Sequence, residues 1–212
     1  MRDDVKDEHG HGTHIAGLIA KHAQPAPFCI MPMKYFDGNA LGEDNLLRSC
    51  MALRKAIDMK ADIINYSGGG VSPSDTECAL VKEALDKEII IVVAAGNEKS
   101  DITKRNFWPA MCDHRVIAVT AKDEFGNRLK TSNYSEVSVF KRGDKVNGKT
   151  VQLKIEEGHD LLSTLPGGQY GYMTGTSQAT AIMTGKLANH LFIMRKSEYG
   201  KYLVKKAPGW GK

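Results

Sequence analysis

The sequence predicts an α/β fold in which a mainly parallel β-sheet lies between helices. Three observations support this prediction: helix and strand patterns alternate along most of the chain, several strand patterns are continuous apolar runs, and no linker divides the chain. Alternating strands and helices favour parallel strands joined by covering helices. Continuous apolar runs are typical of strands buried on both faces. We therefore expect a single domain over residues 1–212, with its core at 7–195 and a basic tail at 196–212.

The first half of the chain contains two helix patterns and two strand patterns. Small and apolar residues recur at helical spacing over 11–21, and residues 43–60 are amphipathic with a helical period. Between them, the strand-like run 28–36 ends at the turn signal Asp37-Gly38-Asn39. Residues 62–67 form the next strand pattern, which runs directly into three glycines. The order predicted for this half is therefore helix, strand, helix, strand.

The second half begins with a helix pattern at 75–87, for which the sequence favours Asp75 as the N-cap. Two β-branched apolar runs, at 89–95 and 116–120, predict buried strands. The pattern then changes, since Asn147-Gly148 is a strong hairpin signal between residues 141 and 155. A last helix pattern covers residues 177–195.

Composition excludes several classes of function. The net charge is only +4, and the basic residues are scattered, so we expect no nucleic-acid partner. Apolar runs are too short to cross a membrane, and the charged first residues are not the apolar part of an export signal. The sequence as it stands slightly favours the cytoplasm, whereas a preceding export segment would make the protein secreted.

The four cysteines, Cys29, Cys50, Cys78 and Cys112, are widely spaced, which argues against a zinc ribbon or a thioredoxin-type site. Cys50 and Cys78 lie in helix patterns among apolar neighbours. We expect them to be buried free thiols, although the sequence leaves disulfides open.

Two short motifs carry potential catalytic groups. Residues 10–17 read Gly-His-Gly-Thr-His-Ile-Ala-Gly, and residues 175–180 read Gly-Thr-Ser-Gln-Ala-Thr. Each motif places a potential base or nucleophile among glycines and small residues at the start of a helix pattern. A serine hydroxyl is a weak nucleophile until an adjacent base accepts its proton. The pair of motifs therefore predicts serine hydrolysis, with His11 and Ser177 as the reacting groups.

The ordered set of motifs resembles the subtilisin-like serine peptidases. Besides the two motifs above, residues 61–69 are similar to the family's substrate-binding strand, and residues 92–97 to the strand that carries its oxyanion asparagine. Shorter stretches at 108–110, 132–134 and 163–168 match lesser family signatures. The resemblance covers residues 7–188 and implies a three-layer sandwich with a mainly parallel sheet between helices.

The resemblance also implies a role for each motif. His11 is expected to be the general base, Ser177 the nucleophile that forms an acyl-enzyme, and Asn97 a donor in the oxyanion hole. Residues Ser67, Gly68 and Gly69 are expected to pair with an extended polypeptide substrate. Calcium is common in the family, but its sites are not recognisable here, so we predict no cofactor and no metal site.

The chain departs from the family in one important respect. The family order along the chain is Asp, His, Ser, and its aspartate ends an apolar strand well before the histidine. Here Asp3, Asp4 and Asp7 precede His11, but none follows an apolar strand. Asp7 instead matches an acidic position just before the histidine motif, while Asp3 or Asp4 remains an alternative partner for His11. We therefore expect weak or no activity from this chain alone, with an N-terminal fragment or partner chain supplying the strand.

Other interpretations stay open at this point. The runner-up function is a non-catalytic pseudoprotease or partner subunit of the same fold that binds peptides in its groove. His9, His11 and His14 could form a metal cluster, but no further ligand lies at zinc-motif spacing. Residues 68–70 could belong to a nucleotide loop, yet no G-x-G-x-x-G pattern follows them.

Overall fold

The computed structural model describes residues 6–135, 145–146, 149–150 and 152–206. Its helices are α1 (His11–Ala23), α2 (Gly42–Asp58), α3 (Asp75–Asp86) and α4 (Thr176–Lys206). Its strands are β1 (Ile63–Tyr66), β2 (Ile90–Ala94), β3 (Ile117–Lys122), β4 (Lys145–Val146), β5 (Lys149–Thr150), β6 (Gln152–Glu157), β7 (Leu161–Leu165) and β8 (Gln169–Met173).

The main sheet contains four strands in the order β1-β2-β3-β6, and all three strand pairs are parallel. Two antiparallel hairpins, β4–β5 and β7–β8, lie outside this sheet. The hairpin predicted between residues 141 and 155 is thus confirmed by the β4–β5 pair, and its turn residues 147–148 lie outside the described residues. The mainly parallel sheet confirms the predicted fold class.

Helices cover both faces of the sheet. Successive side chains of β2 pack alternately against the helices on one face and on the other. Ile91 and Val93 pack into the larger core cluster with residues of α2 and α3, whereas Val92 packs with Ala179 of α4. Successive residues of a strand point to opposite faces, so a strand with helices on both sides is apolar at every position. The result is the three-layer arrangement that the sequence predicts.

Helices α1 and α4 pack against each other and run in the same direction. Ala181, near the start of α4, clusters with Ile15 in the first half of α1. One turn later, Gly185 lies against the last turn of α1: a Cβ placed on it would be 2.8 Å from the Ile19 carbonyl oxygen and 3.0 Å from the Ala23 nitrogen. The N-termini of the two helices therefore lie at the same end of the pair.

The strand predicted over residues 28–36 is absent, since residues 27–37 adopt no regular secondary structure. An extended apolar segment becomes a strand only when a neighbouring strand accepts its backbone hydrogen bonds. Within the described ranges, the sheet stops at β1, and no strand lies beyond it. The prediction was wrong because strand formation depends on a partner, which the local pattern does not reveal.

Two local predictions around α3 also need correction. The N-cap of α3 is Ser74, whose hydroxyl accepts a hydrogen bond from the Glu77 N–H at 3.2 Å, and Asp75 is the first helical residue. Cys78 is not a free thiol but forms a disulfide with Cys112, their Cα atoms being 4.9 Å apart. Cys50 is buried and free, as predicted. The disulfide joins α3 to a loop 34 residues away, which no local pattern could indicate.

Helix α4 extends further than predicted. It continues through Lys206 rather than ending near Arg195, so it includes much of the segment predicted as a basic tail. Residues 196–206 contain no proline, and the chain reaches its next proline only at Pro208. Since proline is the strongest helix breaker, its absence is consistent with a helix that continues through this stretch.

Candidate active site

The N-terminus of α4 meets the carboxyl end of β2. Asn97 follows β2 by three residues, and its Oδ1 accepts a hydrogen bond from the Thr176 N–H at 3.1 Å. In return, the Gly96 N–H donates to the Thr176 hydroxyl at 3.3 Å. The helix thus occupies the amide oxygen of Asn97, and the NH₂ group of the same amide is a separate donor. Asn97 is exposed, so this donor reaches solvent and any bound molecule.

Ser177, the second residue of α4, is bound to the end of β1. Its hydroxyl donates to the Ser67 carbonyl oxygen at 3.1 Å, and the Ser67 hydroxyl donates to the Ser177 carbonyl oxygen at 2.9 Å. Ser177 is half-buried. The structure therefore brings together three of the predicted site residues, Ser67, Asn97 and Ser177, at the N-terminus of one helix.

His11 is the first residue of α1 and lies at the same end of the α1–α4 pair as Ser177. It is half-buried. Burial lowers the pKa of His11 below its usual value of 6.5, and nearby His9 and His14 lower it further, while Asp7 acts in the opposite direction. The imidazole is therefore neutral at pH 7, which is the protonation state that a general base needs.

Asp7 caps the N-terminus of α1 and does not contact His11 through a hydrogen bond. Its carboxylate accepts from the N–H groups of His9, Gly10 and Thr13 and from the Thr13 hydroxyl, at 2.7–3.0 Å. Partial burial raises the pKa of Asp7, but these hydrogen bonds outweigh it and lower the pKa to about 2. The alternative partners, Asp3 and Asp4, lie outside the described residues.

Replacing Asp7 with alanine is expected to lower the free energy of unfolding by about 1–2 kcal/mol at pH 7, because four hydrogen bonds at the helix start are lost. The folded-state pKa of about 2 is below the usual 3.8. The stabilisation is therefore present above pH 4 and disappears as the pH falls towards 2. Urea unfolding at pH 7 and pH 3 measures both effects. Glu124→Ala, at an exposed turn, is the matched control; an equal loss in both variants would contradict the capping role.

The hairpin β7–β8 holds α1 in place from the other side. His14 is fully buried, and its Nε2 lies 2.9 Å from the Leu161 carbonyl oxygen and 3.2 Å from that of Gly171. The Ser163 and Thr164 hydroxyls donate to the carbonyls of His14 and Thr13 at 2.8 and 3.0 Å. His14 is thus a structural residue that fixes the orientation of the helix carrying His11.

The substrate strand predicted at Ser67–Gly69 continues directly from β1. The Tyr35 hydroxyl occupies the space where a side chain of residue 68 would lie. The Tyr35 ring also packs beside that of Tyr66, with centroids 5.9 Å apart. Sequence reasoning missed Tyr35 because it lies in the segment wrongly predicted as a strand.

A buried polar network supports the end of β1. The Tyr66 hydroxyl donates to Glu77 Oε1 at 2.7 Å and lies 2.6 Å from the Ser49 hydroxyl. Glu77 is only 3% exposed. Burial raises the pKa of Glu77, and the hydrogen bonds from Tyr66 and Ser49 partly oppose this. The network connects α2, β1 and α3 immediately before Ser67, so it holds the end of β1 against both helices.

Across the described ranges, no three His, Cys, Asp or Glu side chains are grouped as a metal site requires. His9, His11 and His14 do not form such a group. The His14 side chain is turned into the β7–β8 hairpin, while His9 and His11 meet edge to face with ring centroids 6.2 Å apart. In this arrangement the three histidines cannot bind one zinc ion together. None of the helices in the described part of the chain is long and apolar enough to cross a membrane.

The family model described as the subtilase family, Peptidase_S8, matches residues 1–202. The chain belongs to the subtilase family. This agrees with the site, since the motifs that carry His11, Asn97 and Ser177 all lie within the matched range. Among curated relatives, the major intracellular serine protease of Bacillus subtilis (strain 168) is 32% identical over 194 residues, which are 88% of this chain and 56% of that protein.

Solved structures of proteases are similar to this chain in fold. The patellamide maturation protease PatA is 27% identical, with a TM-score of 0.70 over 89% of this chain and 67% of that one. A lanthipeptide protease is 20% identical, with a TM-score of 0.72 over 100% of this chain and 72% of that one. The chain spans little more than half the length of the Bacillus subtilis relative.

Proposed function

We propose that this subtilase chain is a serine endopeptidase that cleaves peptide bonds through an acyl-enzyme on Ser177, with His11 as general base and Asn97 in the oxyanion hole. The observation that carries the proposal is the junction at the start of α4. There the Thr176 N–H binds Asn97 at 3.1 Å, and Ser177 binds Ser67 at 3.1 Å. A nucleophile, an oxyanion donor and a peptide-binding strand therefore converge at one helix N-terminus.

The chemistry follows from these positions. The first turn of a helix has N–H groups without intrahelical acceptors, and its dipole favours negative charge. An oxyanion that forms on a carbonyl attacked by Ser177 is stabilised by the Ser177 N–H and by the Asn97 NH₂ group. His11, neutral at pH 7 because burial lowers its pKa, accepts the proton of the hydroxyl.

A polypeptide is the proposed substrate. An extended peptide lying along Ser67–Gly69 would add to the sheet by backbone hydrogen bonds, which give affinity without depending on sequence. Its carbonyl group would then face Ser177 and the Asn97 amide. The Tyr66–Glu77 hydrogen bond at 2.7 Å keeps this strand rigid, so the peptide is oriented without prior ordering of the enzyme.

We further propose that the chain needs a strand from another polypeptide, or from a longer form of itself, for full activity. Within the described residues, β1 is an edge strand of the main sheet. The Asp7 carboxylate is hydrogen-bonded to the start of α1 rather than to His11. The Ser177 hydroxyl donates to the Ser67 carbonyl oxygen instead of a base. In subtilisin, loss of the triad aspartate lowers kcat by about 3 × 10⁴. The hydrogen bond from the Ser177 hydroxyl to the Ser67 carbonyl oxygen also favours the second candidate function, a non-catalytic peptide-binding module of this fold.

Labelling with an ethyl fluorophosphonate separates the two candidates. We expect Ser177 to be labelled covalently and Ser177→Ala to remain unlabelled, with the site identified by mass spectrometry. The rate should fall as the pH is lowered through a single pKa below 6.5, because protonated His11 no longer accepts a proton. Adding a synthetic apolar strand that ends in Asp-Ser-Gly should raise the rate.

The control variant is Ser135→Ala, a serine that lies outside the proposed site. It should be labelled at the rate of the unchanged chain. Failure of Ser177 to react with and without the added strand would overturn the peptidase proposal and leave the peptide-binding module.

A further inference from the structure

The ring of Phe107 lies between two glycines that belong to the walls of the proposed active site. A Cβ placed on Gly69 would be 2.5 Å from Phe107 Cε1, and one placed on Gly96 would be 2.8 Å from Phe107 Cε2. Phe107 is 6% exposed. The ring thus contacts both glycines, beside the Trp108 carbonyl oxygen at Gly69 and the Asn133 and Glu98 side chains at Gly96, and its two edges face the two segments.

These two segments carry the reacting groups. Gly69 lies two residues after Ser67, whose carbonyl oxygen accepts the Ser177 hydroxyl at 3.1 Å. Gly96 directly precedes Asn97, whose side chain binds the start of α4. A peptide aligned on Ser67–Gly69 with its carbonyl towards Asn97 must place the side chain of that residue between the two segments. Because the Phe107 ring contacts both segments, it lies in the region into which this side chain would extend.

The backbone around Phe107 is fixed in several ways, so the ring is not free to swing away. The neighbouring Trp108 exchanges two hydrogen bonds with Gly70, at 2.9 and 2.8 Å. The Met111 N–H donates to the Phe107 carbonyl oxygen at 3.2 Å. The Cys78–Cys112 disulfide then ties the end of this loop to α3. The loop that carries Phe107 is therefore attached both to the segment after β1 and to α3.

We propose that Phe107 determines substrate specificity by closing the pocket for the residue whose carbonyl group is attacked, so that glycine, alanine or serine is accepted there and large side chains are rejected. This inference rests on the proposed peptidase function. An apolar pocket discriminates by about 10–200-fold for each methylene group that fits or fails to fit. A blocked pocket is therefore expected to favour alanine over phenylalanine by more than tenfold.

The test uses two peptidyl diphenyl phosphonates that are identical except for a final alanine-like or phenylalanine-like residue. The second-order rate of Ser177 labelling is measured for each, with the strand peptide added. In the unchanged chain, the alanine probe should react more than tenfold faster. Phe107→Ala and the milder Phe107→Leu should reduce that ratio by at least tenfold, mainly by accelerating the phenylalanine probe.

The matched control is Phe125→Ala, since Phe125 is 81% exposed on a turn after β3 and removing it should leave the ratio unchanged. Circular dichroism and urea unfolding show which variants are folded, and the preference of the unchanged chain tests the proposal even if Phe107→Ala unfolds. Faster labelling by the phenylalanine probe in the unchanged chain would overturn the inference. An unchanged ratio of the two labelling rates in a folded Phe107→Leu variant would also overturn the inference.

The simple fluorophosphonate, which carries no peptide side chain, distinguishes the two possible failures. If it labels Ser177 while the probe preference contradicts a closed pocket, the specificity inference is wrong and the peptidase proposal stands. If it labels no form of the chain, the peptidase proposal is wrong, and the inference about Phe107 is overturned with it.

Discussion

Replacing Asn97 with aspartate should slow the labelling of Ser177 by about 10²–10³-fold, a range measured for an oxyanion-hole asparagine in subtilisin, a member of this family. Aspartate keeps the oxygen that accepts from the Thr176 N–H but lacks the NH₂ donor. It also brings a negative charge to the position where the oxyanion develops. The variant therefore removes the proposed catalytic function while it preserves the contact that supports α4.

The measurement compares the rate of fluorophosphonate labelling with the free energy of unfolding in urea. Stability should be unchanged or slightly higher, because a carboxylate at a helix N-terminus is favourable. Asn39→Asp, which introduces the same charge on an exposed turn before α2, should change neither quantity. A labelling rate equal to that of the unchanged chain would exclude Asn97 from the oxyanion hole.

Replacing Gly185 with valine is expected to lower the free energy of unfolding by about 3 kcal/mol, the upper range for overpacking of a core contact. A Cβ at this position would meet the Ile19 carbonyl oxygen at 2.8 Å, the Ala23 nitrogen at 3.0 Å and the His22 Cβ at 2.7 Å. None of these atoms is the end of a flexible side chain. The helices can accommodate the valine only by moving apart.

This movement should also reduce the reactivity of Ser177, because His11 is carried by α1 and Ser177 by α4. Urea unfolding and fluorophosphonate labelling measure the two consequences separately. The matched control is Gly42→Ala at the start of α2, where no atom lies within 4 Å of the added Cβ, and which should be neutral or slightly stabilising. Unchanged stability in Gly185→Val would show that α1 and α4 are not in close contact.

Much of the fold followed from local pattern. The apolar runs at 89–95 and 116–120 predicted β2 and β3 because a strand buried on both faces has no polar side. The small residues after His11 predicted α1, whose helical period is visible without any partner. The grouping of Ser67, Asn97 and Ser177 was implied by the family resemblance, and the ends of the neighbouring parallel strands β1 and β2 account for the proximity of Ser67 and Asn97.

Other features depended on contacts between distant segments. Residues 28–36 have the composition of a strand, but the described part of the chain gives them no partner, so the same pattern produces irregular backbone. Cys78 has the local surroundings of a buried thiol, and only the approach of Cys112 makes it a disulfide. Asp7 precedes the histidine motif in the sequence, but only the folded structure shows that its carboxylate accepts four hydrogen bonds at the start of α1.

The sequence by itself predicted the fold class from its periodicity. Its short motifs carried the resemblance to the family, and that resemblance implied the proposed nucleophile, base and oxyanion donor. Only the tertiary structure decided what surrounds them. It placed the Tyr35 hydroxyl in the space beside Gly68 and the Phe107 ring between Gly69 and Gly96. The shape of a pocket is set by segments that are distant along the chain. A glycine in the sequence indicates that another group packs closely against the backbone there, but it does not indicate which residue supplies that group.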